Sequence, residues 1–106
     1  MIEVEARIRG KNQGIELLKI RGHANSGPYG NDLVCAGVSA IVTGGLNCLT
    51  SLDRFNIIFE PGNVVIEKKE GKSITKHDSI ILWAILTQLE TVEESNKEFI
   101  KIASHS

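Results

Sequence analysis

A chain of 106 residues suits one domain, residues 1–106, and a domain of this size buries roughly two-thirds of its unfolded surface, enough for a core without staples. A formal net charge of −1 gives no global pull toward nucleic acid, and 42% hydrophobic with 24% charged residues is ordinary for a soluble globular protein. No apolar run approaches membrane-span length and the N-terminal MIEVEARIRG has no apolar signal region, so a cytoplasmic protein with no membrane partner is expected.

Taken in order, Ile2, Val4, Ala6 and Ile8 alternate with Glu3, Glu5, Arg7 and Arg9, which predicts a half-buried strand over 2–9. Gly10 to Gly14 is a short loop able to join antiparallel neighbours. A second strand is predicted from Ile15 to His23, with Leu18 and Ile20 facing in and Leu17, Lys19, Arg21 and His23 facing out. Ala24 to Asn31 holds two glycines, a proline, a serine and two asparagines, so it forms no regular element. It is either a plain strand-to-helix connector or a substrate-binding flap, and the residues at its two ends favour the flap. The spacing of Gly27 and Gly30 is a weak match to a phosphate cradle and lacks the lysine and hydroxyl residue of a P-loop.

A first helix is predicted from Leu33 to Ser51, on the spacing of Val34, Val38, Ile41, Val42, Leu49 and Leu52. Gly44-Gly45 in its middle costs roughly 2 kcal/mol against alanine, which points to close packing against another backbone or to a kink. Phe55 to Glu60 reads as a third strand, Pro61-Gly62-Asn63 as a tight turn and Val64 to Lys69 as a fourth strand. Phe55, Ile57 and Phe59 share one face, as do Val64 and Ile66. A second helix begins near Thr75 to Asp78, with a stripe of Ile81, Ala84, Ile85, Gln88 and Val92 broadened by Ile80, Leu82 and Leu89, and with Trp83 packed. The segment from Phe99 to Ile102 fits a last helical turn or a short edge strand equally well. The order β-β-α-β-β-α implies an α+β domain of two layers, two helices on a mainly antiparallel sheet whose strand order the sequence does not give.

The chemistry concentrates at the start of the first helix. Asn31 and Asp32 are both good N-cap residues. With Asp32 as the cap, Cys35 is the third helical residue and its sulfur lies near the positive helix end, which favours thiolate over thiol. That dipole contributes only about 0.3–1 kcal/mol, up to about 2 in partly buried sites, so an activated thiol needs a positive partner as well, and His23 is the nearest candidate. Cys35 as nucleophile, His23 as base and first-turn N–H groups such as those of Cys35 and Ala36 as oxyanion donors would make a cysteine peptidase. Twelve residues can span up to about 40 Å, so the pair meets only if the strand end docks beside the helix start. Asp32 either caps the helix or orients His23 while Asn31 caps. Ser39, one turn after Cys35, either supports the pair by hydrogen bonding or is a small packing residue. The other cysteine, Cys48, reads as core; roughly 20 Å along the same helix, it is too far from Cys35 for a disulfide.

Gly22-His23-Ala24, Gly27, Gly30, Asp32, Leu33-Val34-Cys35-Ala36 and Val38-Ser39 together resemble the pattern of the bacterial ribosomal-processing cysteine proteases, and the likeness runs through nearly the whole chain. The resemblance implies a cysteine endopeptidase, without a cofactor, that trims an N-terminal extension from large-subunit ribosomal protein twenty-seven after an aromatic residue. It also implies catalytic His23 and Cys35, an important Asp32 and a homodimer. The stretch from Gly27 to Gly30 could then open and close over such a peptide, with Tyr29 either packing on it or standing as an exposed loop tyrosine. One departure is Gly37, where the family usually has alanine. Two other classes compete. A metal site would need ligands beyond His23 and Cys35, and His77, His105 and Cys48 lie at no zinc spacing. A non-catalytic ribosome- or RNA-associated module would use Arg7, Arg9, Lys11, Lys19 and Arg21, yet no aromatic interleaves them, so no direct nucleic-acid contact is expected.

Overall fold

The computed structural model describes residues 1–10, 14–24, 27 and 32–106. Alternation builds the first strand: Ile2, Val4 and Ala6 are buried while Glu3 between them is exposed, giving β1 (Ile2–Arg9). It pairs antiparallel with β2 (Gly14–Arg21). The register slips at Arg7/Ile8, where Arg7 faces Leu17 but Ile8 faces Ile15, leaving Glu16 as the extra residue of a bulge. That extra residue is why Ile15 and Leu18, three apart, both enter the core. Leu17 points to the other face, as expected, but is buried there too. Its register partners Arg7 and Glu67 form an ion pair at 3.6 Å, and their stems cover it.

The remaining elements are α1 (Leu33–Cys48), a 3-10 turn (Leu52–Arg54), β3 (Phe55–Glu60), β4 (Asn63–Lys68), α2 (Lys76–Ser95) and β5 (Ile100–His105). The sheet order is β3-β4-β2-β1-β5. All pairings are antiparallel except β1 with β5, which run parallel. The α+β, two-layer expectation therefore holds, and the ambiguous tail resolves into a strand rather than a helical turn. Its apolar residues Ile100 and Ile102 join the core while Lys101 and Ala103 stay exposed, the period of a strand. Val34, Val38 and Val42 of α1 and Leu82, Ile85, Leu86 and Leu89 of α2 share one cluster with Val4, Leu18, Ile20 and Ile66 of the sheet.

Several expected details are corrected. The first helix stops at Cys48, not Ser51, because Leu49 turns extended and the N–H groups of Thr50 and Ser51 go to the Asp78 carboxylate at 3.0 and 2.9 Å. Leu52 consequently falls in the 3-10 turn and is exposed. Cys48 is exposed rather than core, since the buried row through Val34, Val38 and Val42 leaves it off to one side in the last turn. The buried stripe of α2 runs through Asp78, Leu82, Ile85, Leu86 and Leu89, leaving Ala84, Gln88 and Ile80 in solvent. The helix is thus rotated from the stripe read in its sequence, because a buried aspartate occupies the first position of the row. At the glycine pair, Gly45 is closely packed, but against a side chain rather than a backbone, since a Cβ there would overlap Ile85 of α2, whereas Gly44 faces open space. Finally, β2 ends at Arg21, two residues before His23. Gly22 turns the chain with φ +92° and donates its N–H to the Gly62 carbonyl at 3.0 Å.

Candidate active site

Asp32 has extended backbone, φ −83° and ψ 97°, and its Oδ1 accepts the Cys35 N–H at 3.0 Å. It is the N-cap of α1, and Asn31, the other cap considered, lies outside the described residues. The cap fixes Cys35 in the first turn, half-buried, with its sulfur facing the end of β2. There the backbone N–H of Ala24 donates to Cys35 Sγ at 3.1 Å. Ala24 is buried and belongs to the core cluster, so the chain just after His23 is anchored over the sulfur. An N–H aimed at sulfur stabilises negative charge there once the proton has left.

His23, exposed, lines the same groove as Cys35 and Ser39, a concavity of about 310 Å³ between the start of α1 and the β3–β4 turn. Ile20, Val38 and Val42 supply its apolar floor. Phe59 and the turn Pro61-Gly62-Asn63 form the opposite wall. Phe59 shares the face of Phe55 but is 56% exposed, because β3 is an edge strand and the aromatic lies over the groove rather than under a helix. These wall residues escaped the sequence reading. The Pro-Gly-Asn run signalled a turn, but only the sheet order carries that turn to the end of β2.

The first-turn donors need correction. The Cys35 N–H is taken by Asp32 Oδ1 and the Ala36 N–H by the Asp32 carbonyl at 3.0 Å, so neither is available to an oxyanion in this state. Of the loop residues, Gly27 is an exposed bend, while Tyr29 and Gly30 lie outside the described residues. The structure therefore brings together His23, Cys35, Asp32 and Ser39 around one helix start. Among the described residues no three His, Cys, Asp or Glu side chains gather as a metal site, and no helix is long and apolar enough to cross a membrane. On the basic strand face Arg7 pairs with Glu67 at 3.6 Å and Arg9 with Glu16 at 3.4 Å, while Lys11 lies outside the described residues.

Comparison with known proteins identifies the family. The family model described as cysteine protease Prp matches residues 1–101. The ribosomal processing cysteine protease Prp of Bacillus subtilis (strain 168) is 29% identical over 111 residues, covering 99% of this chain and 98% of that protein. The crystal structure of an essential ribosomal processing protease Prp from S. aureus with a covalently linked product peptide aligns at a TM-score of 0.85 and 31% identity, covering 98% of this chain and 99% of that one. The same protease with a substrate peptide aligns at a TM-score of 0.76 and 27% identity over the same shares. With nearly its whole length matched by the family, the chain belongs to the cysteine protease Prp family and is a cysteine-type peptidase.

Proposed function

We propose that this peptidase acts in the cytoplasm on the N-terminal extension of large-subunit ribosomal protein twenty-seven, through Cys35 as nucleophile and His23 as base. The observation that carries the reading is the Ala24 N–H on Cys35 Sγ, directly after a histidine that lines the same groove. His23 takes the thiol proton as the sulfur attacks the scissile carbonyl, then returns it to the leaving amine. A thioester forms and water hydrolyses it, regenerating the thiol. With the Cys35 and Ala36 N–H groups engaged, the Ala24 N–H is the donor that can pass from the sulfur to the adjacent oxyanion as the new bond forms. Asp32 holds the cysteine through its cap, and Ser39 supports the pair from one turn along the helix. The apolar groove beside the sulfur suits an aromatic side chain before the cut, and Gly27, Tyr29 and Gly30 belong to the loop that would close over the peptide. The solved relatives that hold a product and a substrate peptide support a peptide substrate for this chain.

The test is a peptide spanning the extension junction, followed by mass spectrometry. Wild type should yield two products, while Cys35→Ala and His23→Ala yield none and keep their circular-dichroism melts. Cleavage by either variant at the wild-type rate removes the dyad; an intact junction peptide with wild type removes the substrate. A homodimer belongs to the same reading, and sedimentation at the monomer mass would remove it.

A further inference from the structure

The turn between β3 and β4 does more than reverse the chain. Gly62 has φ +70°, and Pro61 before it suits a turn with glycine at its third position. Its carbonyl accepts the N–H of Gly22, the residue preceding His23. The imidazole itself rests on the glycine: a Cβ built there would lie 2.9 Å from His23 Nε2 and 3.3 Å from Cε1. Among the described residues, and leaving aside the glycine and its two chain neighbours, the three heavy atoms nearest to that added carbon all belong to this ring. One residue thus ties down the backbone before the histidine and leaves room for the ring after it.

We infer that Gly62 is a positioning residue for catalysis, setting the imidazole of His23 at the height from which it serves Cys35. The inference rests on the dyad reading above. His23 is exposed at its outer side and ends a flexible side chain, so a methyl at Gly62 would be relieved by swinging the ring rather than by unfolding the turn. The consequence falls on chemistry, because a misplacement of about 1 Å can cost on the order of a hundredfold in rate. The bland alternative is that glycine stands here only for its positive φ. Two comparisons separate the ideas. Asparagine tolerates the left-handed region, so Gly62→Asn keeps the turn while adding a Cβ against the ring. Gly71 has φ +77° with nothing within 4 Å, so Gly71→Ala carries the backbone strain without touching His23.

The experiment measures kcat and KM on the junction peptide, thermal melts, and the His23 ring signals in ¹H–¹⁵N NMR, for wild type, Gly62→Ala, Gly62→Asn, Gly71→Ala and His23→Ala. Both Gly62 variants should lose about ten- to a hundredfold in kcat, with KM within about twofold and the His23 signals moved. Gly71→Ala should keep kcat and those signals. A Gly62→Asn enzyme with wild-type kcat and unmoved His23 signals would overturn the inference and leave only the turn. Full activity in His23→Ala would instead bring down the dyad, and with it any catalytic part for Gly62, whatever the spectra show.

Discussion

Replacing Asp78 by asparagine should expose the junction on which both helices depend. Its side chain is fully buried at the start of α2. Oδ1 accepts from the Thr50 N–H, the Thr50 hydroxyl and His77 Nδ1, and Oδ2 accepts from the Ser51 N–H at 2.9 Å. Burial alone would raise this carboxyl, but the hydrogen bonds from His77, Thr50 and Ser51 outweigh it and hold the group at about 2, below its ordinary 3.8. A folded value below the unfolded one means stability that is complete above about pH 4 and is lost as pH falls toward 2. At about 1.36 kcal/mol per pH unit that contribution is at most about 2 kcal/mol, since the half-exposed His77 lets solvent screen the pair. Neither orientation of the asparagine amide restores these contacts: its NH₂ must oppose one set of donors, leaving a buried N–H unpaired at a cost of about 2–4 kcal/mol. Urea unfolding of wild type and Asp78→Asn from pH 2 to 7 is the assay. The variant should be weaker at pH 7 and the gap should narrow by about 2 kcal/mol below pH 3. A gap that stays constant across that range would refute the carboxylate's role.

Gly44→Ala, into open space, should stabilise α1 by about 0.5–1 kcal/mol, whereas Gly45→Ala should destabilise the fold because its methyl meets Ile85; equal changes in urea midpoint would contradict the packing. Iodoacetamide near neutral pH should label half-buried Cys35 faster than exposed Cys48, reversing the order that access alone would give; faster Cys48 labelling by peptide mass mapping would count against an activated thiol. The His105 imidazole, 2.7 Å from Glu5, holds that carboxyl below its ordinary value, so His105→Ala should move the Glu5 titration upward in ¹³C NMR, and an unmoved curve would discard the pairing.

Much of the fold was legible because burial leaves a period in the chain. The alternation at Ile2 to Arg9 and the helical spacing of Val34, Val38 and Val42 were visible in residue order and match β1 and α1. Asp32 could be read as a cap from its chemistry, yet the choice between capping and orienting His23 needed the Cys35 N–H seen on its Oδ1. Hydrophobicity does not say which side of a helix end meets a neighbour, so Cys48, core by residue type, is exposed in the fold. The α2 stripe was misjudged for a related reason: Asp78, polar by type, is buried by four hydrogen bonds that no local pattern announces.

The chain by itself determined the two helices, the first four strands and the chemical types brought to the site, since propensity, capping and apolar period act between residues close in sequence. Tertiary structure decided where the imidazole stands. β4 pairs with β2, and that long-range choice carries the Pro61-Gly62 turn beneath His23, while burial of α1 against the same sheet brings the Cys35 sulfur to the Ala24 N–H. Contacts between segments some forty residues apart are chosen by sheet register and shared burial, and no stretch of sequence read alone contains them.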